Sequence, residues 1–200
     1  MKHHRLVIAT HNKGKIREFR RLLSALPADL FSLDQVGVTV TVAETGTTYE
    51  ENASVKATSY ARASGITTIA DDSGIEVDAL DGAPGVQSAV FTGPGQTDEQ
   101  RTGRLLELVD HVSDPHRTAR YRAILAVARP GGDCRTFEGV CEGRIIRRPR
   151  GEGGFGYDPI FLIPELSKTM AELTGEEKDR ISHRGMAARA ALPYLQSLLK

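Results

Sequence analysis

Arg5-Leu-Val-Ile-Ala-Thr-His-Asn-Lys-Gly-Lys15 is the stretch on which the fold turns. Leu6–Ala9 is a run of four apolar residues, the pattern of a short buried strand, and the polar turn Thr10–Gly14 ends it. Ile16, Phe19, Leu22, Leu23 and Leu26 then recur at the spacing of an amphipathic helix, which Pro27 closes. A strand that passes through a polar turn into a helix opens an α/β sheet. Such sheets place their ligands at strand ends.

Working outward, Val36–Val42 alternates like a strand. Thr48 with Glu51 three residues later is a capping box, predicting a helix with Ala53, Ala57, Tyr60 and Ala61 inward and Gly65 at its end. Ile66–Ala70 reads as a strand running into Asp71-Asp-Ser-Gly74, and Ile75–Leu80 as a further extended segment. Thr97 and Gln100 open a third helix. Arg120–Ala128 and Thr136–Ile146 form a hairpin about Pro130-Gly-Gly-Asp133. A glycine-rich loop, Gly151–Pro159, leads to a short strand, and helices follow from about Thr174. The class is α/β or α+β with a mixed central sheet flanked by helices. The 200 residues read as a single domain.

Four polar clusters stand at these strand ends and loops. Thr10-His-Asn-Lys-Gly-Lys15 offers helix-start N–H groups and two lysines to phosphate oxygens, although a solvated polar turn reads the same way. Asp71 and Asp72 follow a strand. Neighbours in extended backbone point opposite ways, so one faces a ligand while the other caps or braces. A carboxylate there suits Mg²⁺, with Glu44, Glu50 and Glu51 as further acidic candidates; an Asx turn is the plainer reading. Ser73 lacks the G-x-S-x-G surroundings of a nucleophile and reads as a turn or ligand hydroxyl. Gly151, Gly153 and Gly156 satisfy G-x-G-x-x-G, but Tyr157-Asp-Pro159 follows where a dinucleotide fingerprint needs a helix. Phe155 and Tyr157 there are either a face for a base or plugs for the core. Finally, Lys178 and Ser182-His183-Arg184 combine a capping serine with donors for carbonyl or phosphate oxygens. Together the four clusters supply the parts of a nucleoside-triphosphate hydrolase.

In this order the motifs resemble the inosine triphosphate pyrophosphatase family, the non-standard purine nucleoside-triphosphate pyrophosphatases. The matching stretches are Ala9–Lys15, Glu44-Thr-Gly46, Glu51-Asn52 with Lys56, Ala70–Gly74 with Val77–Leu80 and Gly82–Gly85, Gly153–Phe161, and Ser182–Arg184. The resemblance implies two lobes with the active site in a cleft between them, Mg²⁺ as cofactor, and a homodimer. It implies that Thr10, His11, Asn12, Lys13, Gly14 and Lys15 hold the triphosphate, assisted by Lys56. Asp72 becomes the general base and a metal ligand, with Glu44 the second carboxylate. Ser73 touches substrate, and Phe155 stacks on the purine in a wall completed by Gly156, Tyr157 and Asp158. Lys178, His183 and Arg184 read the base edge. A 6-keto purine accepts from Arg184, whereas adenine presents a donor there, a mismatch of about 1–3 kcal/mol.

Composition sets the outer bounds. Hydrophobic residues are 40% and charged residues 26%, as in an ordinary globular protein. Lys plus Arg number 26 and Asp plus Glu 26, which leaves no general field for a nucleic-acid partner. The longest apolar run, Ala123–Ala128, is far short of a membrane span, and Leu6–Ala9 is too short for a signal-peptide core. Cys134 and Cys141 have no second pair to make a disulfide framework or zinc site, so the chain reads as cytoplasmic with reduced thiols.

Overall fold

The structure, a computed structural model, describes residues 4–199. Seven strands run along the chain as β1 (His4–Ile8), β2 (Ala28–Ser32), β3 (Thr68–Val77), β4 (Thr118–Ala128), β5 (Cys134–Ile145), β6 (Phe161–Ile163) and β7 (Lys168–Thr169). Helices are α1 (Lys13–Leu22), α2 (Tyr49–Ser64), α3 (Asp98–Leu108), α4 (Gly175–Ile181) and α5 (His183–Leu198). The sheet order is β2-β1-β3-β4-β5-β6-β7. It is a mixed sheet: β1 pairs in parallel with β2 and β3, while β6 pairs antiparallel with β5 and β7. No helix among the described residues is long and apolar enough to cross a membrane.

The chain divides into two compact units, one of residues 1–72, 123–139 and 184–200, the other of residues 73–122 and 140–183. In the first unit the strands bury both faces. Leu6, Ile8, Ile69, Leu125 and Val127 pack with Phe19 of α1, with Leu23 at its C-cap, and with Ala187, Ala188, Ala191 and Leu195 of α5. The alternate residues Val7, Ala9, Ala70, Ala126 and Ala128 pack with Ala53, Ala57, Tyr60 and Ala61 of α2. Period-two alternation along each strand thus feeds two helical layers. The alanine stripe of α2 lets its backbone lie close to the sheet. Its expected capping box and left-handed Gly65 cap are both present.

The second unit has one core, in which Ile75, Val77, Leu105, Val109, Tyr121, Cys141, Ile145, Tyr157 and Phe161 converge. Thr97 and Gln100 cap α3 reciprocally, as their spacing predicts. Both cysteines are free thiols.

Two expectations are corrected. Val36–Val42 is not a strand: Asp34–Val36 is a single 3₁₀ turn, and residues 37–48 form no helix or strand. Its alternation is not carried into burial, since Val38 is buried while Val40, two residues on, is 56% exposed, and no strand edge pairs with it. The edge of β1 is occupied instead by β2, Ala28–Ser32, in a five-residue parallel register. The second correction concerns Asp71–Gly74, which is neither a turn nor a strand exit. These residues lie within β3, which continues from Thr68 to Val77 and ends in a 3₁₀ turn at Asp78–Leu80.

Candidate active site

Within the first unit, the β1–α1 junction presents a helix start closed by Asn12. Its Oδ1 accepts from the N–H groups of Gly14 (2.8 Å) and Lys15 (3.1 Å), and Thr10 Oγ1 accepts from the N–H of Asn12. His11, Asn12 and Lys13 are exposed, Gly14 is buried, and Thr10 and Lys15 are half-buried. Lys15 turns inward, its Nζ 3.2 Å from Asp71 Oδ1. Burial pushes its pKa down, as do the Arg184 and Lys56 charges, while Asp71 and Asp72 oppose.

Asp71 and Asp72, on opposite faces of β3, have different jobs. Asp71 is 2% exposed and takes Nε and Nη2 of Arg184 on one oxygen, at 3.1 and 3.0 Å. Arg184 Nη1 donates to Glu18 Oε2 at 2.5 Å. Although burial disfavours its charge, Asp71 is held far below the usual carboxylate range by Lys15, Arg184 and Lys56. Asp71 is therefore the brace of the pair. Sequence reading left Glu18 out altogether, because the partner that explains its burial on α1, Arg184, lies 166 residues along the chain.

Asp72 is buried with weaker compensation. Asn52 Nδ2 donates to its Oδ2 at 3.1 Å, and Lys56 Nζ lies 3.5 Å from its Oδ1. The same ammonium donates to Glu44 Oε2 at 2.7 Å and to the Asp71 carbonyl at 2.8 Å. Burial pushes the Asp72 carboxyl up to about 6, against the pull of Lys56, Lys15 and Asn52 and with a small push from Glu44. A carboxylate poised there can hold or release a proton near neutrality. Lys56 stays charged: burial lowers its pKa, but Asp72, Asp71 and Glu44 outweigh that and raise it.

Glu44 and Asp72 also suit a hard cation. Both are within reach of one ammonium, and Asp72 has charge that a cation would relieve. Among the described residues, no group of three or more His, Cys, Asp or Glu forms a protein-only metal cage. Two carboxylates completed by water and phosphate oxygens are the usual protein share of a magnesium site.

Within the second unit, Ser73 is half-buried in β3. The glycine-rich loop is built around Asp158, which is 2% exposed. Its Oδ2 accepts from the N–H of Phe155 (2.9 Å) and from Lys178 Nζ (2.5 Å), and its Oδ1 accepts from the Tyr121 hydroxyl. Gly154 is required here, at φ +74° with a Cβ position only 2.0 Å from Asp158 Oδ2. Gly156 is pinned to α3, its N–H donating to Asp98 Oδ2 at 2.6 Å. Of the two aromatics, Tyr157 plugs the core and donates its hydroxyl to the Ser88 carbonyl. Phe155 remains half-buried, with Lys178 Nζ 4.8 Å from its ring centre. His183 stacks on Tyr121, ring centres 4.6 Å apart.

The residues named from sequence are divided between the two units. Thr10–Lys15, Glu44, Lys56, Asp72 and Arg184 fall in the first, and Ser73, Phe155–Asp158, Lys178 and His183 in the second. A cavity of about 430 Å³ in the second unit, lined by Gly103, Leu106, Glu107, Asp110, Arg117 and Arg147, contains none of them. There Arg117 and Arg147 donate to carbonyls just beyond α3.

Comparison with known proteins agrees with the motifs. The Ham1 family model matches residues 6–194. The dITP/XTP pyrophosphatase of Desulforamulus reducens is 47% identical over 194 residues, covering 97% of this chain and 96% of the relative. That of Bacillus subtilis is 46% identical over 191 residues, 96% of each chain. The solved structure of a HAM1 protein from Coxiella burnetii superposes with a TM-score of 0.85 at 37% identity, covering 98% of each chain. With sequence, site motifs and fold in agreement over nearly its whole length, this chain belongs to the Ham1 family.

Proposed function

We propose that the chain hydrolyses non-standard purine nucleoside triphosphates (ITP, dITP and XTP) to the monophosphate and pyrophosphate, removing damaged nucleotides from the pool. Its relatives in Desulforamulus reducens and Bacillus subtilis carry the name of that activity. The observation that carries the reading within this molecule is Asp72. It is a buried carboxyl near neutrality, flanked by a neutral donor, an ammonium and a second carboxylate.

In this reading the start of α1, Lys15 and Lys56 take the phosphate oxygens. Asp72 accepts the proton of the attacking water as the P–O bond to pyrophosphate breaks. Glu44 and Asp72 would hold a magnesium ion, which when bound would supply charge to offset that on the leaving pyrophosphate. Phe155 stacks on the base, with Gly156, Tyr157 and Asp158 behind it. Ser73 touches substrate, and Lys178, His183 and Arg184 meet the base edge. The hydrogen bonds from Arg184 to Asp71 and Glu18 fix its guanidinium plane, and a fixed donor plane discriminates between a keto and an amino group. The whole chain then serves as one pyrophosphatase domain, working in the cytoplasm as a homodimer.

The test is to identify both products formed from ITP with Mg²⁺ by ion-exchange chromatography. Inosine monophosphate with pyrophosphate is expected. Diphosphate with orthophosphate would place the cleavage at the wrong bond.

A further inference from the structure

Asn52 has no role in the chemistry above, yet it touches two parts of the site. It lies in the first turn of α2 and is 5% exposed. Its Oδ1 accepts from the N–H of Gly46 at 2.8 Å, while its Nδ2 donates to Asp72 Oδ2 at 3.1 Å and reaches the Gly46 carbonyl at 3.5 Å. The chemistry fixes the amide orientation, since only the oxygen can meet an N–H and only the nitrogen a carboxylate.

The segment Glu44–Thr48 has no strand or helix to hold it, so these bonds matter. Gly46 permits the close approach: a Cβ there would sit 2.7 Å from Asn52 Oδ1 and 2.8 Å from Glu51 Cβ. Beside it, Glu51 Oε2 accepts from the N–H groups of Thr47 and Thr48 at 2.8 and 3.2 Å. Three consecutive amides of the segment are thereby strapped to the start of α2. Glu44, two residues before Gly46, is carried with them. One turn along the same helix face, Lys56 meets both Glu44 and Asp72.

We infer that Asn52 is a positioning residue that holds the Glu44 segment and the Asp72 carboxylate in one register, and thereby sets the affinity of this pair for a divalent cation. Its neutrality is the point. A second cation in its place would orient Asp72 equally well but cancel the charge that a metal needs. An aspartate would set two carboxylates against each other, and an aliphatic side chain would release both the carboxylate and the segment. Hydrogen-bond partners of ligating carboxylates typically contribute about 10–100-fold to metal affinity. The inference rests on the proposal that Glu44 and Asp72 form the cation site.

The experiment measures Mn²⁺ binding to the nucleotide-free protein by electron paramagnetic resonance. It compares the parent chain with Asn52→Ala and Gly46→Ala, the latter breaking the strap without touching Asp72. Roughly 10-fold or weaker Mn²⁺ affinity is expected in both variants, with faster deuterium exchange at residues 44–48. The Mg²⁺ concentration for half-maximal turnover should rise in parallel, while the nucleotide KM at saturating Mg²⁺ moves much less. If Asn52→Ala does not fold, Gly46→Ala decides alone. Mn²⁺ affinity unchanged in the folded variants overturns the inference and leaves the cation site standing. Failure of the parent chain itself to bind Mn²⁺ overturns both.

Discussion

Replacing Asp72 with asparagine should abolish turnover and at the same time stabilise the metal-free protein. The folded-state carboxyl is pushed up to about 6 from an ordinary 3.8. Between those values the folded chain binds more protons than the unfolded one, so its stability falls as pH rises through that window. Above about pH 6 the penalty for keeping Asp72 ionised is fully present. At roughly 1.4 kcal/mol per pH unit it amounts to about 3 kcal/mol at most. Asparagine mimics the protonated form and keeps an oxygen for the Asn52 amide. Lys56 loses one partner but retains Glu44 and the Asp71 carbonyl. The expected gain is therefore about 1–3 kcal/mol at pH 8, shrinking toward zero near pH 4. Urea unfolding midpoints of both proteins in EDTA, at several pH values, measure it. Added Mg²⁺ should narrow the gap, because it stabilises only the chain whose folded form binds it well. An asparagine variant no more stable than the parent at pH 8, or a gap independent of pH, would refute the reasoning.

Other expected outcomes follow from single contacts. Glu18→Gln leaves Arg184 buried with one carboxylate fewer, which should cost about 3–5 kcal/mol of stability by urea unfolding; a change below 1 kcal/mol would mean that Asp71 alone holds the arginine. Phe155→Ala should raise the nucleotide KM at least about 5-fold, since base stacking contributes roughly 1–3 kcal/mol. An unchanged KM assigns the ring to the loop rather than to substrate. Gly154→Ala forces a Cβ onto Asp158 and should raise KM with little loss of pyrophosphate specificity, as read by steady-state kinetics. Thr48→Ala removes the capping box of α2 and should lower stability by about 1 kcal/mol. A midpoint equal to the parent's would show that Glu51 alone closes that helix end.

Much of the fold is written in local chemistry. The capping boxes of α2 and α3, the alanine face of α2, the β4–β5 hairpin and the strand-to-helix opening all follow from residues close in sequence. What escaped was decided by pairing at a distance. Val36–Val42 has a good strand pattern, but β1 has one free edge there and Ala28–Ser32 takes it. Asp71-Asp72-Ser73-Gly74 reads as a turn because acidic and glycine residues favour turns. It is held extended because Asp71 finds buried cations in Lys15 and Arg184, residues far away along the chain. For the same reason, side chains that brace others were not legible. Glu18 and Asn52 earn their significance only from what folding sets beside them. Tyr157 illustrates the converse: an aromatic in a glycine-rich loop suits a base, yet its ring fills the core and leaves Phe155 as the accessible face.

Base-selective cleavage to pyrophosphate can be tested in a single comparison. Purified protein with Mg²⁺ is given ITP, XTP, dITP, GTP, ATP and pyrimidine triphosphates, and kcat/KM is measured for each by pyrophosphate release. The donor mismatch at the 6-position should leave kcat/KM for ITP, XTP and dITP at least about 10-fold above that for ATP. Equal values for all bases, or turnover of pyrimidine triphosphates ahead of the 6-keto purines, would contradict it.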